Sequence, residues 1–135
     1  LCASPDYLAA KGAPQTPDDL ATCSCIALSE DEQDAYWHFE RHEQLTSVRV
    51  SGRLAVNHSG IRHQAVSQGM GISVFPDFVI REAVEQGDVV RLFPEWNLKG
   101  KYQGKLVAQY AASRFIPIQV RAFISFLQQQ FADDR

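Results

Sequence analysis

The sequence predicts an α/β domain with a mixed sheet flanked by helices. Three observations carry this. Residues 59–93 alternate a helical pattern, an apolar strand, a second helix and a second strand. Residues 35–56 alternate polar and apolar side chains in short extended runs, as antiparallel strands do. The early segments "SPDYLAAKG" and "TPDDLAT" both carry the Ser/Thr-Pro pair that starts helices.

Taken in order, Leu1–Ala3 reads as a strand that runs directly into a helix. Ser4 is placed to cap that helix, Pro5 to occupy its first position, and Gly12 to stop it. Thr16 and Pro17 repeat the device, with Asp18 and Asp19 favouring the positive helix end. "CSCIAL" (23–28) reads as a buried strand and "SEDEQD" (29–34) as a solvated acidic loop. "AYWHFER", "LTSVRV" and "GRLAV" read as three strands, the last two separated by Ser51 and Gly52, with Trp37 and Phe39 on one buried face.

A helix follows, with Ile61, Ala65 and Val66 on its inner face and its end near Gly69. "ISVF" (72–75) is a compact apolar strand. Pro76 and Asp77 open "DFVIREAVEQG", whose inner face is expected to hold Phe78, Val79, Ala83 and Val84. "VVRLF" closes a strand, helix, strand unit, a crossover that favours parallel strands with ligands at their carboxyl ends. "KLVAQY" (105–110) reads as a further strand. The last helix carries Ile116, Val120, Phe123, Ile124, Leu127 and Phe131 at spacings of three and four, with Phe126 widening the stripe.

The 135 residues fit one domain, and the ordinary balance of apolar and charged residues predicts a packed core. A net charge of −3 argues against direct nucleic-acid binding, which rests on Lys and Arg neutralising phosphates. No apolar run approaches the ~20 residues that span a bilayer, and the start does not read as a signal peptide. Cys2, Cys23 and Cys25 cannot all pair, so a cytoplasmic protein with reduced thiols is expected.

Metal chemistry has weak support. His38 and His42 have the i, i+4 spacing of a helical zinc pair, but their segment reads as a strand end, and Glu40 is not where H-E-x-x-H needs its base. Cys23 and Cys25, two apart on a strand, point to one face and read as structural thiols. No nucleophile stands at a recognisable spacing from a base, and there is no phosphate loop. Neither a cofactor, nor a metal, nor enzymatic activity is expected. A small metal-dependent hydrolase using His38 and His42 is the alternative from another class, and a stand-alone solute-binding protein is a third.

The order "CASPDYLAAKGAPQTPDDLAT", "WHF", "VSGRLAVNHSGIRHQAVSQGMGISVFPDFVIREAVEQGDVVRLFPEW" and "VRAFISFLQQQF" resembles the effector-binding part of the LysR-type transcriptional regulators. The match includes the spacing between blocks. The resemblance implies a two-lobed fold like that of type II periplasmic binding proteins, of which this chain would hold the second lobe, residues 4–107. Residues 108–135 would supply the C-terminal strand and helix of the first. It also implies an N-terminal truncation, with the DNA-binding domain absent. The apolar stripe of the last helix then lacks its full core partner, so the chain is expected to associate with itself or to swap segments.

The partners implied are a small-molecule effector, a homo-oligomer (dimer or tetramer in the full-length protein), and DNA only through the absent N-terminal domain; no membrane is involved. The resemblance places the effector between the lobes, against the turn Asn57, His58, Ser59 and Gly60. That turn is chemically apt. Four amides at a helix start lack intrahelical partners, and the partial positive charge there is worth ~0.3–1 kcal/mol to an anion, which points to a small carboxylate. Asn57 or Ser59 also reads as a simple helix cap. Phe75 and Pro76, at the strand end, are expected to wall the ligand, although an aromatic there reads equally as core. Ser4 and Tyr110 are weaker candidates, at positions that suit a hinge.

Overall fold

Local chemistry sets the first helix as expected. Ser4 Oγ accepts a hydrogen bond from the Tyr7 amide at 3.2 Å, Pro5 stands at the first position of α1 (Pro5–Lys11), and Gly12 ends it at φ 85°. The second Ser/Thr-Pro device gives a 3-10 turn, Pro17–Thr22, in which the Asp19 carboxylate accepts from the Thr16 and Gln15 amides at 2.9 and 2.8 Å. The structure, a computed structural model, describes residues 1–100, 107–111 and 115–131.

The chain divides into two units, residues 1–103 and 104–135. The first contains two sheets. Strands β1 (Cys2–Ala3), β2 (Cys25–Ile26), β5 (Ile72–Ser73) and β6 (Val90–Arg91) form a mixed sheet in the order β2-β5-β1-β6. β2 and β5 are parallel, and β1 runs antiparallel between β5 and β6. The crossover from β5 through α3 (Asp77–Gln86) to β6 thus reaches a strand of the same direction, with β1 inserted between the two.

The second sheet is antiparallel: β3 (Tyr36–Arg41) pairs with β4 (Gln44–Arg49) on one side and β7 (Asn97–Lys99) on the other. His42 and Glu43, at φ 49° and 64°, make the tight turn between β3 and β4. The acidic loop holds a 3-10 turn, Glu32–Ala35, where Asp34 accepts from the amides of Glu30 and Asp31. "GRLAV" is not a strand. It is joined to the first sheet's edge by an isolated bridge of Ala55 with Ala27, and the preceding Ser51 by another with Ser24.

Strand alternation sends neighbouring side chains to opposite faces of the mixed sheet, and each face has its own core. Ala3, Cys25, Ile72 and Val74 pack with Trp37, Phe39 and other residues of the antiparallel sheet. Cys2, Ile26 and Phe75 pack under α3 and α2 (Ser59–Ser67). The inner faces of both helices differ from the sequence expectation. α2 turns Arg62, Ala65 and Val66 inward and leaves Ile61 half exposed; α3 buries Ile80 and Ala83 and leaves Phe78 62% exposed. Apolar character alone therefore does not decide which residues face in.

In the second unit, α4 (Ile118–Gln130) forms over the expected span, and no residue of it is buried. The expected strand at 105–110 falls partly outside the described residues, and residues 107–110 carry no regular structure.

Candidate functional site

The carboxyl ends of β2 and β5, together with the start of α2, bring the candidate residues together. His58 is the N-cap of α2, its Nδ1 accepting from the Ile61 amide at 3.4 Å, in place of the Asn57 or Ser59 cap expected from sequence. Asn57 is exposed and, with the cap supplied by His58, takes no part in ending the helix. Gly60 lies under the His58 ring; a Cβ there would come within 3.1 Å of it.

Ser59 Oγ accepts from Arg62 Nη2 at 3.3 Å. Arg62 is 1% exposed, and its guanidinium carbon lies 5.6 Å from the centroid of Phe75, a cation–π distance. The His63 ring meets Phe75 edge-on at 6.2 Å. Phe75 is therefore core and site wall at once: 8% exposed, packed under α2 and α3, and touching the guanidinium. Pro76 follows as the N-cap residue of α3.

Two cavities open at this end of the sheet. One, of about 240 Å³, is lined by Arg62 together with Tyr36, Trp37 and His38 of β3, Leu28 after β2 and Val74 after β5. The other, of about 440 Å³, has Phe75 and Pro76 in its wall beside Asp77, Arg91 and Trp96. Arg41 stacks on Trp96 at 4.6 Å and so holds this edge of the antiparallel sheet in place.

Ser4 is not brought to this cluster. It is 2% exposed, its hydroxyl is used as the cap of α1, and a Cβ on Gly69, at the far end of α2, would stand 3.7 Å from its Oγ. Tyr110 belongs to the other unit. Arg62 was missed because a lone arginine three residues past Ser59 reads as a solvated helix residue. The signal available was its i, i+3 spacing from a serine at the helix start.

The metal alternative fails on geometry. His38 lies in mid-strand and His42 in the turn; at ~3.4 Å per residue their backbones stand about 13 Å apart. Among the described residues no group of three His, Cys, Asp or Glu is placed to hold a metal ion. The thiols are poor nucleophiles: burial pushes Cys2 and Cys23 up and raises Cys25 to about 12. No helix among the described residues is long and apolar enough to cross a membrane.

Comparison with known proteins agrees with this architecture. The family described as LysR substrate binding domain matches residues 1–132. The chain is 40% identical over 129 residues to a probable HTH-type transcriptional regulator, LtrA, of Klebsiella pneumoniae, covering 96% of this chain and 42% of that protein. It is 36% identical over 127 residues to the HTH-type transcriptional regulator PtxR of Pseudomonas aeruginosa, covering 94% and 40%. The chain thus spans about two fifths of these relatives' length. Among solved structures, the regulatory domain of AphB from Vibrio vulnificus superposes with a TM-score of 0.71 at 25% identity, covering 96% of this chain and 62% of that one. The regulatory domain of CrgA from Neisseria meningitidis, a LysR-type regulator, shares the fold with a TM-score of 0.74 at 22% identity, covering 95% and 62%.

Proposed function

The chain belongs to the LysR substrate-binding domain family, and on that ground we propose that it is the effector-sensing part of a transcriptional regulator. The family match along residues 1–132 carries this reading. Residues 4–107 are assigned as the second lobe and residues 108–135 as the C-terminal part of the first; the division of the chain near residue 103 supports a boundary in this region. DNA is contacted by a segment outside these residues, and the regulator works as a cytoplasmic homo-oligomer, as is usual for a sensor that reads operator half-sites.

The effector is a small carboxylate. It enters at the carboxyl ends of β2 and β5, near the start of α2 with its partial positive charge, where the cavity wall carries the basic Arg62 and Lys99 beside one buried carboxylate, Asp34. Ser59 orients the guanidinium, while Trp37 and Val74 present apolar surface to the ligand body and Phe75 backs the guanidinium from the core side. Binding that favours one of two lobe arrangements shifts operator affinity by the ligand's differential affinity for the two, ~1–3 kcal/mol in such couplings. No bond is made or broken in this role.

A thermal-shift screen of aliphatic and aromatic carboxylates on the full-length regulator, paired with an operator gel-shift, tests the reading. Ser59→Ala and His58→Ala are expected to weaken the response to any hit. An unchanged response in both variants removes the effector from this end of the sheet.

A further inference from the structure

A third cavity lies at the opposite end of the same sheet. Ser24 and Met70 come shortly before the parallel strands β2 and β5, whereas Leu28 and Val74 of the Arg62 cavity follow them. At the amino ends, between α1 and the 51–54 segment, a cavity of about 370 Å³ is lined by Lys11, Arg53, Ser24, Ile26, Leu54 and Met70, with Tyr7 and Gly69.

Its chemistry is one-sided. The lining holds two cations and no carboxylate, and neither Lys11 nor Arg53 makes an ion pair among the described residues. Ile26, Leu54 and Met70 give it an apolar body, and Met70 is 47% exposed. The Ser24 hydroxyl already donates to the Met70 carbonyl at 3.1 Å, and the Tyr7 hydroxyl accepts from the Ser24 amide at 3.0 Å. Negative charge in the cavity is therefore left to the two cations.

The walls are also fixed. The Cys25 amide donates to the Ser51 carbonyl at 2.8 Å, and Gly52 lies so close to β2 that a Cβ would overlap the Cys25 carbonyl oxygen. Arg53 thus leaves from a clamped segment. Lys11 sits in the last turn of α1, which Gly12 closes through its amide to the Leu8 carbonyl at 2.9 Å. A site built on such walls loses little entropy on binding.

We infer that this cavity binds a small organic carboxylate with an apolar body, its charged end on Lys11 and Arg53 and its body against Ile26, Leu54 and Met70. A bare phosphate would leave the aliphatic lining unused, and a polyanion is disfavoured by the net charge of −3. The site lies at the far end of α2 from His58 and Ser59 and shares no lining residue with the Arg62 cavity.

Met70 stands in the cavity wall, so methyl-13C-methionine labelling places a signal there, assigned by its loss in Met70→Leu. Titration with sodium octanoate and sodium benzoate at constant ionic strength, with sodium chloride as the blank, is expected to move that signal saturably. Arg53→Gln and Lys11→Gln are each expected to weaken binding about tenfold. Leu54→Trp, which fills the cavity and spares the charges, is expected to abolish the shift, and Ser59→Ala to leave it unchanged. Four outcomes overturn the inference: no saturation below about 10 mM, equal affinity in both charge variants, loss of the shift in Ser59→Ala, or a shift that follows protein concentration in place of carboxylate. The last would make the cavity a contact between chains.

Discussion

Replacing Phe75 by leucine separates its packing from its contact with the buried cation. The ring is 8% exposed, lies among Ile26, Val66 and Ile80, and faces a guanidinium 5.6 Å away. Leucine keeps most of the apolar fill, so the lost volume costs about 1–2 kcal/mol. A cation–π contact near its ~6 Å outer limit adds about 0.5–1 kcal/mol, and the His63 edge contact about 0.5 kcal/mol. Phe75→Leu should therefore lose about 2–3.5 kcal/mol in urea unfolding followed by tryptophan fluorescence. A double-mutant cycle with Arg62→Met, which keeps side-chain length and removes charge, should give a coupling of about 0.5–1 kcal/mol between ring and guanidinium. A coupling below about 0.3 kcal/mol, the scatter of independent sites, would refute the ring's role in holding Arg62. A loss below about 1 kcal/mol in Phe75→Leu itself would refute its place in the core.

Gly52→Ala should cost about 2–3 kcal/mol, because its Cβ would overlap the Cys25 carbonyl oxygen; urea midpoints within experimental scatter of the parent would show that the 51–54 segment gives way freely. Burial raises the Cys25 thiol to about 12 from an ordinary 9.0, so the fold favours the neutral form. That contribution is present below the unfolded value and lost as pH rises towards the folded one. At about pH 8, iodoacetamide with peptide mapping should label half-buried Cys23 well before Cys25, and equal labelling would contradict this. The amides of Thr16 and Gln15 hold the Asp19 carboxyl below its usual range. It therefore adds stability above its unfolded value that is lost as pH falls through the folded one. Asp19→Asn should flatten the fall in Tm between about pH 5 and 3, and an unaltered slope would mean that the two hydrogen bonds do not persist in solution.

What was legible in the sequence is what local chemistry decides. Ser4, Gly12, Thr16 and Asp19 announce their turns because caps act over three or four residues. Trp37 and Phe39 reveal the inner face of β3 because period two is local as well. Strand β7 was invisible, since "NLK" has no apolar alternation and becomes a strand only by pairing with β3, nearly sixty residues earlier. The alternation in "GRLAV" misled for the converse reason: its backbone pairs only at a single bridge, Ala55 with Ala27 just after β2. In α2, Arg62 is buried and Ile61 exposed, against hydrophobicity, because Ser59 and Phe75 receive the guanidinium. Part of the candidate site therefore came from the helix start and part from a pairing that no short window contains.

The insertion of β1 between β5 and β6 also sets the order in which this sheet can be assembled. Cys2 pairs with Ser73 on one side and Arg91 on the other, so the second strand of the sheet's centre waits for residues made some seventy and ninety positions later. On a ribosome adding about 5–20 residues per second, that is several seconds during which residues 1–3 have no partner. Closing such long loops makes sheet completion a late, slow event, and until then the apolar side chains of β2 and β5 must rely on α2 and the β3–β4 hairpin for cover.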